Sequence, residues 1–379
     1  MIMVLRKLLP FFVIAVVFCS CSYSKWLEVS NVTLRQEPTE LAGPKSVIEY
    51  DINEPDISPE HPVYVFVRYR RDPAKNWQLI PMDSLRGNGF DIVEKSGHKE
   101  IVWWGTGETS FTDANKVEVR VRGIAMARIP AGKFVMKSLP GGGKDESKEI
   151  TPEPNLPLFY MAKYETTISM YTDYLNELGV ETAGWNQRMT NENRCGIIQN
   201  ENGTYGVKPG RENYPVTYVS WYDAMNFLRW CGLRLPTEAE WEKALRGGLY
   251  LDGDAEKKKP NPMPERRYPW GDESPGAGGV FRCNFDAEDD GFAYSAPVGS
   301  FARFGSPYGV CDLAGNVAEW TLDWYTTSYH AGLDGFRMVR GGSWMDVAAA
   351  CDAVTGATQL PLKESSIMGF RGVKESKLK

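Results

Sequence analysis

Asp312-Leu313-Ala314-Gly315-Asn316-Val317-Ala318-Glu319 places a carboxylate, a glycine turn and a second carboxylate on one short stretch of chain. Such a segment can wrap a hard cation, with side-chain oxygens from Asp312 and Glu319 and carbonyl oxygens from Gly315 and Val317. Calcium accepts mixed oxygen ligands of this kind at about 2.3–2.6 Å and tolerates irregular geometry. On spacing alone, a loop with solvated acids is the better fit. A second acidic stretch, Asn284-Phe285-Asp286-Ala287-Glu288-Asp289-Asp290-Gly291-Phe292, presents the same choice between an ion-binding and a solvated loop. Its many acids leave the register open.

The elements that must carry these loops divide the chain in two. Between Trp26 and Met126, Val63, Val65, Val67 and Tyr69 alternate with Tyr64, Phe66, Arg68 and Arg70. Val117, Val119 and Val121 alternate in the same way with Lys116, Glu118, Arg120 and Arg122. Period-two runs separated by Asp72-Pro73, Gly87-Asn88-Gly89 and Ser96-Gly97 predict a small antiparallel β-sandwich of fibronectin or immunoglobulin type. The second half predicts few helices. Thr166 or Thr167 caps one through Leu178, closed by Gly179; Ser220 with Asp223 opens one closed by Gly232; Thr237 with Glu240 forms a capping box for a third, reaching towards Arg246. The charged glycine run Gly141–Glu146 reads as a surface loop, and everything after Gly247 as loop-rich.

Composition narrows the function. The 379 residues are 42% hydrophobic and 24% charged, ordinary for a globular protein with room for two domains. A net charge of −6 argues against nucleic acid as the main partner, and the cluster Arg68, Arg70 and Arg71 reads as a solvated strand face. His61, His98 and His330 are scattered without HxH or HxxxH spacing, which argues against a multi-histidine metal site and a Ser/His/Asp triad. No P-loop or dinucleotide fingerprint occurs.

The start of the chain reads as an export signal over residues 1–20: basic Arg6 and Lys7, an apolar run from Leu8 to Phe18, then Cys19-Ser20-Cys21. Ser20 before Cys21 is similar to a bacterial lipoprotein cleavage site, with Cys21 the acylated (palmitate-bearing) first residue of the mature chain. Cys19 and a plain secretory signal are the alternatives. Export would place the chain at the outer membrane or on a periplasm-facing envelope surface, held by a lipid anchor, where disulfides are permitted. The odd count of Cys195, Cys231, Cys283, Cys311 and Cys351 leaves at least one thiol free, and pairing is not legible from sequence.

Four blocks then occur in order: Leu233–Glu242 (LRLPTEAEWE), Gly315–Trp320 (GNVAEW), Arg340–Trp344 (RGGSW) and Gly369–Gly372 (GFRG). Together with Ile129-Pro130-Ala131-Gly132 they resemble the formylglycine-generating enzyme, or sulfatase-modifying factor, family from about Arg128 to Val373. The resemblance implies an irregular α+β, C-type-lectin-related domain over residues 128–375 behind the sandwich of 26–126. It also implies calcium at two places: Asp312, Gly315, Val317 and Glu319, and Asn284, Phe285, Asp290 and Phe292.

The family's oxidases carry two cysteines after the Gly-Gly-Ser block, a soft pair suited to copper(I). In that register this chain has Asp346 and Cys351. Asp346 is a hard oxygen donor and does not replace a thiolate, so copper is not expected, and Cys351 reads as a small buried residue. Cysteines that the resemblance would place at Leu228, Leu245, Gly356 and Gly372 are absent too. Most tryptophans from Trp221 to Trp344 read as core, with Trp344 and Tyr325–Tyr329 as alternatives for lining a peptide groove. The expectation is a non-oxidase binding or assembly component of the cell envelope with a protein or peptide partner, by analogy with lipoproteins of this architecture in gliding and type IX secretion machinery. The alternative is a metal-dependent oxidase or hydroxylase with an altered centre, its candidates Cys351, Ser343 and Asp346.

Overall fold

The computed structural model describes residues 26–27, 29–37, 45–71, 76–104, 117–137, 154–179, 184–253, 258–286, 290–325 and 335–376. The expected export signal and Cys21, the turn at Asp72-Pro73, the run Gly141–Glu146, Glu288, Asp289 and residues 326–330 lie outside them. Among the described residues, no helix is long and apolar enough to cross a membrane.

The first part contains β1 (Val29–Glu37), β2 (Lys45–Ile52), β3 (Val63–Arg70), β4 (Gln78–Leu79), β5 (Leu85–Gly87), β6 (Asp91–Val93), β7 (Gly97–Trp103) and β8 (Glu118–Ile129). Strands β1, β2, β7 and β5 form one antiparallel sheet, and β3 and β8 are the centre of a second. Ile48, Tyr50 and Ile101 of the first sheet pack against Val63, Val65, Val67 and Val119 of the second. This is the sandwich that the period-two pattern predicts.

Its second sheet does not stop at the expected domain boundary. Short strands β9 (Gly132–Lys133) and β10 (Asn155–Leu156) pair with each other, and β11 (Phe159–Ala162) follows. Strand β8 pairs with β3 from Glu118 to Ala125 and with β11 from Met126 to Ile129. The division expected between Met126 and Arg128 therefore falls inside one strand, shared by both halves.

The helices appear as their caps predict. α1 (Ile168–Leu178) is capped by Thr167, while α2 (Trp221–Cys231) and α3 (Glu238–Arg246) open on full capping boxes at Ser220/Asp223 and Thr237/Glu240. Between α1 and α2 lie β12 (Ile197–Gln199) and β13 (Tyr205–Val207). The chain after Gly247 is more ordered than expected. It holds β14 (Ala318–Trp324), β15 (Arg337–Arg340), β16 (Gly356–Gln359), β17 (Met368–Gly369) and β18 (Val373–Glu375). The first four form a sheet in the order β16-β15-β14-β17, and β18 joins β11. Every side chain of β15 and the first four of β14 are buried, so neither strand shows the alternation that marks a half-exposed strand.

One expectation is overturned. Arg68 is not on a solvated strand face: it is 5% exposed, because the outer face of β3 is covered by α1 and α2. Tyr64 and Phe66 join the core cluster of those helices, and Arg68 follows them into it. Its Nε donates to Glu177 Oε2 (2.6 Å), its Nη1 to the Trp230 carbonyl and its Nη2 to the Trp77 carbonyl. Glu177, at the end of α1, also accepts from Arg120 (2.8 Å), Arg122 (2.7 Å) and the indole of Trp230 (3.0 Å). Burial alone would raise the Glu177 carboxyl, but the charges of Arg122, Arg68 and Arg120 outweigh it and hold the group below its usual range.

The folded pKa is depressed, so this stabilisation is present above the unfolded value and is lost as pH falls through the folded one. Glu177→Gln leaves Arg68 buried without a counter-charge and Arg122 with only Asp173, at 3.5 Å. It should cost roughly 3–5 kcal/mol at neutral pH, with the gap to wild type closing below about pH 4. Denaturant titrations at both pH values check this; a gap of the same size at both would refute the electrostatic account.

Candidate functional site

The four sequence blocks meet in space. Arg371, from the last block, is fully buried; its Nε donates to both oxygens of Glu319 (2.9 and 2.8 Å) and its Nη2 to Glu319 Oε1 (2.6 Å). The remaining donors reach the carbonyls of Ala162, Lys163 and Cys311. Trp241, from the first block, donates its indole N–H to Glu319 Oε2 (3.1 Å). In the third block, the Gly341 carbonyl accepts from Gly315 N (2.8 Å), and a side chain at Gly341, where φ is +94°, would run into the Trp241 ring. Arg340 turns to Glu238 and Glu242 of α3.

The two acidic loops are joined through Asn316. Its Oδ1 accepts from Ala296 N (2.8 Å) and Asn284 Nδ2 (3.1 Å), while its Nδ2 donates to both oxygens of Glu165. Its backbone N–H goes to the Asn284 carbonyl and its carbonyl takes the Trp344 N–H. Asn316 holds φ at +63°, a conformation asparagine tolerates better than most residues. Gly315 beside it is obligatory, since a Cβ there would lie 2.0 Å from the Asn284 carbonyl oxygen. Neither Asn316 nor Glu165 stands out in the sequence as a pivot; the one signal for Asn316 is its place after a glycine between two acids.

The expected ligand sets fare differently as donors. At the first loop both Glu319 oxygens are taken by Arg371 and Trp241, and Asp312 accepts from Gly299 N (2.6 Å). Arg371 therefore supplies the counter-charge there. Glu165, fully buried near Asp312 and Glu319, is pushed well above the usual carboxylate range by desolvation and then by Asp312. At the second loop, Asn284 is 1% exposed; its Nδ2 reaches Tyr294 O and Asn316, yet its Oδ1 is buried with no hydrogen-bond partner among the described residues. Asp290 folds back to accept from Phe285 N (3.0 Å) and Phe292 N (2.9 Å), and burial raises its carboxyl above the ordinary value. An orphaned amide oxygen beside a desolvated carboxylate is a donor set that fits a hard cation. Among the described residues no three His, Cys, Asp or Glu side chains converge as a metal-ligand group, so such an ion would rely on amide and carbonyl oxygens.

Of the three residues considered for catalysis, Ser343 and Asp346 share the turn after β15 and bond to each other, while Cys351 ends the next turn, Ala348–Cys351. Ser343 is buried and donates its hydroxyl to Asp346 Oδ2 (2.5 Å), an ST-type clasp that fixes the turn. Asp346 lines a groove of about 160 Å³ with Gly342, Ala350, Gly356, Gln359 and Met368. Cys351 is fully buried, its Sγ 3.8 Å from the Val347 carbonyl, and it shares a small core cluster with Cys283. Sequence reasoning did not connect Cys283 with Cys351, because 68 positions separate them and no short motif joins them.

The tryptophans are mostly core: Trp221, Trp230, Trp241 and Trp320 are buried, and Trp324 is 47% exposed. Trp344 packs edge-on to Tyr294, with Arg194 over both rings. Met345, Val347, Leu360 and Leu362, next in sequence or nearly so to the lining residues Asp346 and Gln359, are exposed.

Residues 110–376 match the sulfatase-modifying factor enzyme 1-like domain. The formylglycine-generating enzyme of Streptomyces coelicolor is 37% identical over 190 residues, 45% of this chain and 55% of that protein. The chain thus spans about half the length of that relative. The Bos taurus protein named inactive C-alpha-formylglycine-generating enzyme 2 is 29% identical over 65% of this chain and 87% of its own. Among solved structures, PvdO from Pseudomonas aeruginosa aligns with a TM-score of 0.46 at 21% identity, covering 67% of this chain and 95% of that one.

Proposed function

The chain belongs to the sulfatase-modifying factor family, and from that premise we propose that it is a non-oxidase member acting as a binding or assembly component of the cell envelope. The observation that supports this reading is Asp346. It stands where the family resemblance places a copper-ligating cysteine, and its carboxylate is clasped by Ser343. A hard, hydrogen-bonded oxygen next to no second exposed thiol is a poor host for copper(I).

The binding face in this proposal is the groove beside Asp346. Strand β16 is the outer strand of its sheet, and Gly356, Ala357 and Gln359 of that strand line the groove. An open strand edge can take an extended peptide by main-chain hydrogen bonds, and exposed Met345, Val347, Leu360 and Leu362 give it apolar side-chain contacts. The partner class is therefore an extended protein segment. Calcium enters as a structural ion held by Asn284, Phe285, Asp290 and Phe292; the set Asp312, Gly315, Val317 and Glu319 does not fit a second ion, because the Arg371 guanidinium already neutralises Glu319. Bound in the 284–292 loop, calcium supplies charge neutralisation and holds the loop against Asn316.

The competing reading keeps an oxidase or hydroxylase centre built from Cys351, Ser343 and Asp346. Incubating the full chain with copper, reductant, dioxygen and a peptide containing Cys-X-Pro-X-Arg separates the two. Mass spectrometry should show the substrate cysteine unchanged, and Asp346→Cys should raise copper uptake. Conversion to the aldehyde at an enzyme-like rate by the native chain would defeat the non-oxidase reading.

The proposal includes a lipid anchor on Cys21. Cys21→Ala should move the protein from the membrane fraction to the soluble one; retention in the membrane with the leader still attached would show simple anchoring by that segment instead.

A further inference from the structure

Five buried cysteines are described, and two of them, Cys283 and Cys351, share a core cluster of only four buried residues. Cys283 follows the short turn Ala277–Gly279 and precedes Asn284; Cys351 ends the turn Ala348–Cys351. Both cysteines belong to one small buried cluster with Phe285 and Ala314. Glycines stand against both sulfurs: a Cβ on Gly315 would lie 3.2 Å from Cys283 Sγ, and one on Gly342 would lie 3.0 Å from Cys351 Sγ. The space around the pair is thus kept clear by two residues without side chains. The segments are already stitched by backbone, with Asp286 N donating to the Asp346 carbonyl (2.9 Å).

We propose that Cys283 and Cys351 are a redox-closing pair, a modification site at which oxidation ties the 283–292 loop to the floor of the groove. Access comes from the groove. Gly342 and Ala350 line it, and the buried Cys351 sulfur is so near Gly342 that a Cβ there would lie 3.0 Å from it. The oxidant is a small disulfide. The Cys351 thiol loses its proton and attacks one sulfur of the oxidant, whose other half leaves as a thiolate and takes up a proton. The Cys283 thiol loses its proton and attacks the Cys351 sulfur of the mixed disulfide, expelling the second half as a thiol. Two protein thiols are oxidised by two electrons, one S–S bond forms, one breaks, and two small thiols are released.

The closed form is a covalent version of the contact that Asp286 and Asp346 make through their backbones. Cys195 and Cys231 belong to a separate, much larger core cluster, and Cys311 is buried outside the cluster of Cys283 and Cys351. The proposal therefore names one bridge and predicts that three other thiols survive.

The test equilibrates the full chain in mixtures of oxidised and reduced glutathione, unfolds it in an alkylating agent and maps the peptides. Alkylation at positions 283 and 351 should be lost together as the mixture becomes oxidising, with one cross-linked peptide joining them, while positions 195, 231 and 311 stay fully alkylated. Cys283→Ala and Cys351→Ala should each abolish the cross-link and leave the remaining partner alkylatable under oxidising conditions. The map of the native chain decides the matter even if a variant fails to fold. Full alkylation of both cysteines in the most oxidising mixture, or a bridge from either to a different cysteine, overturns the proposal.

Discussion

The buried ion pair between Arg371 and Glu319 is the constraint around which the second half of the chain is organised. Glu319 begins β14, Arg371 lies between β17 and β18, Trp241 comes from α3, and the carbonyls of Ala162, Lys163 and Cys311 complete the shell. Desolvating two charges offsets much of their attraction, so the pair adds less net stability than its distances suggest. Its effect is on arrangement. Arginine's planar fork satisfies one carboxylate and three carbonyls only when β11, β14 and the loop before Asp312 hold fixed positions. The remaining short strands and turns are then placed by Asn316, which ties the two acidic loops to Glu165 and Trp344.

This hub is separate from the residues considered for catalysis. None of the residues in that hub is Ser343, Asp346 or Cys351. The turn that carries Ser343 and Asp346 is held by its own Ser343–Asp346 clasp and by the Asp286–Asp346 backbone bond, and Cys351 ends the next turn. Losses elsewhere are likewise filled by packing. A Cβ on Gly372 would meet Leu228 Cδ2 at 2.7 Å, so apolar contact occupies a place where the family resemblance leads one to look for cysteine. Scaffold and chemistry are separable here because different residues maintain them.

The fold was legible wherever local chemistry decides the structure. Thr167, Ser220 and Thr237 cap helices because their side-chain oxygens meet N–H groups three residues on, a relation visible in sequence. The sandwich was legible from the alternation of Val63, Val65 and Val67. The same alternation misled for Arg68, since period two states which face a residue takes but not what covers that face. Strands β14 and β15 were missed because burial on both sides erases alternation. At the site, the acids of both loops were visible, but the commitment of Glu319 to Arg371, the pivot at Asn316 and the meeting of Cys283 with Cys351 are long-range pairings. Nothing local encodes them.

The account holds that this is a family member whose 284–292 loop favours a hard oxygen-bound cation and whose altered turn holds no redox metal. Elemental analysis of the purified full chain, with native protein and Asn284→Ala side by side, tests that most directly. The account predicts calcium in the native protein, less calcium in Asn284→Ala, and neither copper nor iron near one per chain in either. Copper or iron at one per chain, released by Cys351→Ala or Asp346→Ala but not by Asn284→Ala, would contradict it.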